Sequence, residues 1–330
     1  MMARNTNVPC KGRIQKRKTH HLQIITFGLQ RAAGPYRRAS TRRGQTTERF
    51  VTLPIDRRTI EWAIALRHAE VSVPRITKAQ SASLEVVVWG FGPRVVLVHG
   101  GNFNGPLTWQ EQRPLGERWR LEVLNRRGYG RSPPPEVRSD FEEDARDIAA
   151  LLGDDAHLVG HSFGAIGALY AAALRPQAVR SLTINEPPAY RLIKGNAEAD
   201  AIVARLQATR RDVHEPRAFL EAFRKIVNGP GAPSPVPLPD PLPPDIQQGV
   251  LTTMAGRDTN EADIPLGALR RASFPKLVTS GGHSSVFEAI CDVLQRELNA
   301  ERAIIPGAGH SVPRAGAAFN ERLEAFLKAA

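Results

Sequence analysis

The stretch AHLVGHSFGAIGALYAAALRP, residues 156–176, decides the fold. It begins as a short apolar run, the pattern of a strand covered on both faces. Gly160-His161-Ser162-Phe163-Gly164 follows, a G-x-S-x-G pentapeptide, and then a run of small residues with helical character that stops at Pro176. In such a strand–turn–helix the serine hydroxyl stands clear of the sheet at a helix N-terminus, and flanking glycines let strand and helix approach closely. The N–H of the next residue, Phe163, is then available to stabilise an oxyanion. The pentapeptide is common by chance; the strand before it and the helix after it carry the reading.

The neighbouring segments continue the rhythm. SLEVVVWG (83–90) and RVVLVHGG (94–101) are rich in β-branched residues and, with FGP between them, read as a hairpin-like pair of strands. RLEVLN (120–125) is another strand. DFEEDARDIAALLG (140–153) is an amphipathic helix with Phe141, Ala145, Ile148, Leu151 and Leu152 on one face. VRSLTINEPP (179–188) and FPKLVTSGG (274–282) are further strands. Alternating strands and helices predict an α/β domain with a mainly parallel sheet flanked by helices. Residues 187–272 break the alternation with two helices, AEADAIVARLQATRRDV and EPRAFLEAFRKIVNG, and eight prolines between Pro230 and Pro244. Those prolines predict an extended surface loop, and the whole insertion reads as a helical cap. Phe219, Phe223, Leu251 and Met254 are its candidate substrate-binding residues, with packing inside the cap as the competing role.

A serine nucleophile needs an imidazole to accept its proton. AIIPGAGHSV (303–312) is a short strand leading into a loop that bears His310, the candidate base. The strand ending in His99-Gly100-Gly101 brings backbone N–H groups toward the serine, so Gly101 or Asn102 is the expected second oxyanion donor beside Phe163. His99 itself reads as structural.

The order of strand–HGG, LNRRGYGRS (124–132), GHSFG, cap and late GAGH resembles the α/β-hydrolase fold family over about residues 76–330. NERLEAFLKAA (320–330) is similar to that fold's terminal helix. The resemblance implies an eight-stranded sheet with the site at the carboxyl ends of the strands. It names no substrate, because the fold hosts many reactions. In many members an aspartate follows the penultimate core strand. In LVTSGGHSS (277–285) that position is Ser284, and no carboxylate is present. Glu186, directly after the strand that follows the nucleophile helix, is the leading candidate, as in family members that carry their acid there. A Ser–His dyad, or Glu288 or Asp292 on the helix SVFEAICDVLQRELN (285–299), are the alternatives; both of those acids are expected to point away from the site.

Composition narrows the class. The chain has 330 residues and a formal net charge of +12. Residues 1–75 hold 16 Lys/Arg and 4 Asp/Glu, leaving 29 of each for the remainder. The basic excess therefore belongs to residues 1–75, a leader-like segment whose composition cannot bury a core and reads as disordered, apart from a short helix expected at TIEWAIALRHAEV (59–71). The rest gives no charge reason to expect nucleic acid. No apolar run is long enough to span a membrane. Cys10 and Cys291 supply neither a disulfide framework nor metal-ligand spacing, in keeping with a cytoplasmic protein. The expected function is a serine hydrolase of a small ester or related acyl compound, needing no metal or cofactor. Carbon–carbon bond hydrolysis, cofactor-free peroxidation and a non-catalytic ligand receptor remain compatible alternatives.

Overall fold

A computed structural model of the chain describes residues 74–79, 82–229 and 237–330. The basic segment through residue 73, with the helix expected at 59–71, lies outside the described residues, as does the proline-rich stretch 230–236.

Eight strands form one sheet: β1 (Pro74–Ala79), β2 (Ala82–Trp89), β3 (Arg94–Val98), β4 (Arg120–Leu124), β5 (Ala156–His161), β6 (Val179–Asn185), β7 (Lys276–Ser280) and β8 (Glu301–Ile304), in the spatial order β1-β2-β4-β3-β5-β6-β7-β8. β2 runs antiparallel to β1 and β4; every pairing from β4 to β8 is parallel. This corrects the hairpin expectation for residues 83–101. β2 and β3 are not partners, because β4 lies between them. A parallel β3–β4 pair needs a crossover connection, and residues 99–119 supply it.

The central strands are apolar runs because both faces are covered. β5 is buried at all six positions and Val95–Val98 are fully buried. On one face pack α1 (Phe141–Leu151) and α2 (Phe163–Leu174), with Phe141, Ala145 and Ile148 turned inward. α2 can afford no polar face: nine of its twelve residues are buried, which explains its small apolar composition. The other face carries the terminal helix Ala317–Ala329, whose Phe319, Leu323 and Leu327 meet Trp109, Leu97 and Val123.

Between β6 and β7 lie four helices: α3 (Ala197–Asp212), α4 (Pro216–Asn228), α5 (Pro244–Met254) and α6 (Leu266–Arg271). The first two match the predicted helices. Pro237, Pro239, Pro241 and Pro243 lie in irregular backbone, whereas Pro244 begins α5, where a missing N–H costs nothing. Phe219, Leu220, Leu242, Ile246 and Val250 build a small core of their own there. The helix α7 (Ser285–Leu298) covers β7 and buries Val286, Phe287, Ile290 and Leu294.

Candidate active site

Strand register sets the site. His161 of β5 pairs with Asn185 of β6, and Asn185 with Thr279 of β7. The residues just beyond these rungs, Ser162 and Glu186, therefore emerge side by side at the carboxyl edge, one strand spacing (~4.8 Å) apart. The Ser162 N–H donates to Asn185 O at 2.9 Å and the Glu186 N–H to Thr279 O at 3.1 Å. Both residues occupy the left-handed region, Ser162 at φ 52° and Glu186 at φ 48°, a conformation that costs about 1–3 kcal/mol for a non-glycine residue. Two adjacent strand ends thus hold strained turns that point their side chains at a common volume.

His310 closes the group. Its Nε2 lies 2.9 Å from Ser162 Oγ and its Nδ1 3.3 Å from Glu186 Oε2. The second carboxylate oxygen accepts the Gly281 N–H at 2.7 Å. Ser162, Glu186 and His310 are all buried, Glu186 completely. The loop bearing His310 reaches this position because Gly281 has no side chain: a Cβ there would sit 2.0 Å from Gly309 O. Glu288 and Asp292 face Arg302 on the outer side of α7. Ser284 carries no carboxylate and directly precedes that helix.

Close backbone approach also builds the other wall. A Cβ on Gly164 would meet His99 O at 2.1 Å, so β3 and the start of α2 touch directly. His99 is fully buried, with Nδ1 2.8 Å from Gly100 O and Nε2 accepting the Arg126 N–H at 3.0 Å. Those contacts put its proton on Nδ1 and leave Nε2 no role toward substrate. Burial, then the Arg126 charge, push its pKa well below the usual range. Arg126 binds Asp144 at 2.6 Å and donates to His99 O and Gly100 O, so its donors are turned inward to brace this turn.

Of the two expected oxyanion donors on this loop, Asn102 is engaged: its N–H donates to Thr253 Oγ1 at 2.7 Å. The amides of Gly101 and Phe163 are engaged by no other group among the described residues, and both residues line the pocket containing Ser162.

That pocket is narrow, a cavity of about 40 Å³. Its apolar wall comes from Leu206, Phe223, Val227, Phe287 and Pro188. Only Phe223 of the four residues expected to bind substrate is among the lining groups. Phe219 is buried in the core of the inserted helices, Met254 packs against that core, and Leu251 is exposed beside a separate surface groove. Tyr190 and Arg210, which the sequence did not single out, also line the pocket. Their signal was weak: Tyr190 follows the Glu-Pro-Pro turn, and Arg210 is one of three consecutive charged residues ending α3.

Residues 95–322 match the profile of the alpha/beta hydrolase family. The chain belongs to that family. This alpha/beta hydrolase is 34% identical over 110 residues to a pimeloyl-[acyl-carrier protein] methyl ester esterase of Aeromonas hydrophila, covering 33% of this chain and 43% of that protein. It is 34% identical over 142 residues to a 2-(acetamidomethylene)succinate hydrolase of Mesorhizobium japonicum, covering 42% and 48%. The chain thus matches less than half the length of these curated relatives. Among solved structures it is similar to the carboxylesterase CesB of Bacillus subtilis, with TM-score 0.58 and 18% identity over 82% of this chain and 96% of that one. That likeness concerns the fold. Among the described residues no helix is long and apolar enough to cross a membrane.

Proposed function

We propose that this protein is a serine hydrolase that cleaves a small carboxylic ester or related acyl compound through an acyl-enzyme. The observation that carries the reading is the continuous contact Ser162 Oγ–His310 Nε2–His310 Nδ1–Glu186 beside a pocket with two unengaged amides. The esterase names of several relatives support the same class.

In this mechanism Glu186 holds the His310 proton on Nδ1, leaving the Nε2 lone pair to face Ser162. The serine proton passes to Nε2 as Oγ attacks the acyl carbon. The carbonyl oxygen becomes an oxyanion, held by the N–H groups of Phe163 and Gly101 and by the positive end of α2. Collapse expels the alkoxide, which takes the proton from Nε2. Water then repeats the sequence on the acyl-enzyme: His310 accepts its proton, the hydroxide adds, and Ser162 leaves with the proton returned. Each oxyanion donor of this kind is worth about 10²–10³ in kcat.

The test combines an active-site fluorophosphonate with a panel of p-nitrophenyl esters of varied acyl length. Labelling and turnover are expected in the parent and absent in Ser162→Ala. A folded parent that neither labels nor turns over any ester favours a ligand receptor of this fold instead.

A further inference from the structure

The pocket beside Ser162 contains two arginines in opposite circumstances. Arg126 is fully engaged by Asp144, His99 O, Gly100 O and Ser139. Arg210, near the end of α3, makes no hydrogen bond or ion pair within the described residues, although it lines the same pocket. Asp258 is the acid that its charge feels most, yet its carboxylate takes Gln207 Nε2 and the Asn260 N–H and stays beyond ion-pair distance of Arg210. Arg210 is half-buried, and the loss of water lowers its pKa more than the charges of Asp258 and Tyr190 raise it; a guanidinium remains charged all the same.

A second group is in the same condition. Tyr190 is 3% exposed, lines the pocket, and its hydroxyl is a buried polar atom without a hydrogen-bond partner. Both side chains line the pocket that contains Ser162. Buried polar groups are almost always satisfied, so an orphan hydroxyl beside an uncompensated guanidinium signals a partner that the chain does not supply.

We propose that Arg210 and the Tyr190 hydroxyl form a carboxylate-binding subsite, and that the substrate is an ester whose acyl or alcohol portion carries a free carboxylate. The inference rests on the hydrolase reading for the word ester, but not for the anion. A carboxylate matches the chemistry closely. The guanidinium presents parallel N–H donors to two oxygens, and the phenol adds a third donor. One unit of negative charge balances the one uncompensated cation; a phosphate dianion would leave a second charge buried without a partner. The apolar stretch of Leu206, Phe223, Val227 and Phe287 then lines the methylene chain of a half-ester of a dicarboxylic acid. Arg210 and Tyr190 act here as specificity groups and take no part in breaking the bond.

Two measurements test this. The first is kcat/KM for the mono-p-nitrophenyl ester of glutaric acid against p-nitrophenyl valerate, a neutral ester of similar length. The parent should favour the charged ester, and Arg210→Gln should reduce that ratio about 10- to 100-fold, with Arg210→Lys restoring part of it. An unchanged ratio, or equal losses on both esters, overturns the proposal. The second is independent of turnover: calorimetric titration of monomethyl glutarate into Ser162→Ala and into Ser162→Ala/Arg210→Gln. Weaker binding by a similar factor in the double variant supports the subsite even if no ester is hydrolysed, and equal affinity overturns it. Hydrolysis of both esters without a charge preference leaves the hydrolase reading standing and removes only the subsite.

Discussion

Glu186 Oε1 accepts a hydrogen bond from the Gly281 N–H at 2.7 Å. The strand end that lacks a carboxylate of its own therefore grips one delivered by the neighbouring strand. One oxygen of Glu186 is fixed by this backbone donor, which leaves the other to face His310 Nδ1. The carboxylate is held by main chain at a strand end, with His283 Nδ1 3.7 Å from the same oxygen.

Replacing Glu186 by Gln should leave the fold intact and lower kcat by about 10²–10⁴. The amide oxygen can still accept from Gly281. The amide nitrogen then faces His310 Nδ1 as a donor, which draws the ring proton to Nε2 and blocks Ser162 from giving up its own. The check is steady-state turnover together with an unchanged melting temperature. Parent-like kcat would assign the role to another acid or to none.

Gly281→Ala addresses the same junction from the other side. The new methyl would stand 2.0 Å from Gly309 O, a backbone atom. The His310 loop must retreat, and a displacement near 1 Å at a reacting group costs ~10²-fold in rate. Overpacking of this kind also costs roughly 1–3 kcal/mol. Activity should fall well beyond what the change in melting temperature explains; a normal rate would show that the loop's position is not critical.

Asp144→Asn removes the charge partner of the buried Arg126. A buried cation left unpaired destabilises by about 3–5 kcal/mol. Arg126 also holds His99 O and Gly100 O, so the turn before Gly101 loosens with it. Urea titration should show a lower midpoint at similar slope, and turnover should drop in the fraction that remains folded. A shift below ~1 kcal/mol would mean that water reaches the pair.

The pH dependence follows from three histidines kept neutral by burial. His157 is lowered to about 4 from 6.5, and His99 and His161 lie well below that usual value, His161 also through its neighbour His310. The unfolded chain takes up protons at these rings near pH 6.5, whereas the native chain does not. Stability should therefore be fully present above about pH 6.5 and decline as pH falls toward 4. Denaturant midpoints across that interval read the slope. His157→Asn, which keeps a partner for Ser181, should flatten it in part.

The sequence made the strand–helix alternation plain wherever both faces of an element were apolar, as in β5 and α2. It singled out Ser162 and His310 because each sits beside glycines that tight turns require. The pairing of β2 was illegible, since a β-branched run followed by a glycine turn looks the same whether its partner is the next strand or the one after. The position of Glu186 relative to His310 depends on the register His161–Asn185–Thr279, which no local pattern encodes. The pocket lining failed for a different reason. Apolar residues at helical spacing, such as Phe219 and Met254, satisfy one another within the inserted helices. The groups that reach the pocket with something distinctive, Tyr190 and Arg210, are noticeable only once their lack of partners is seen in space.

The β5–α2–β6 unit has a consequence for how the site comes together. Ser162 and Glu186 lie on one short βαβ segment, whereas His310 is 148 residues from the serine in sequence and 124 from the glutamate. Two of the three groups are thus set by contacts between sequence neighbours, which form early and cheaply in conformational entropy. The imidazole arrives only when β8 docks on β7 and the glycine junction closes. If the βαβ segment closes first, Ser162 and Glu186 come into register before His310 reaches them, and recovery of activity during refolding should lag behind recovery of the central sheet.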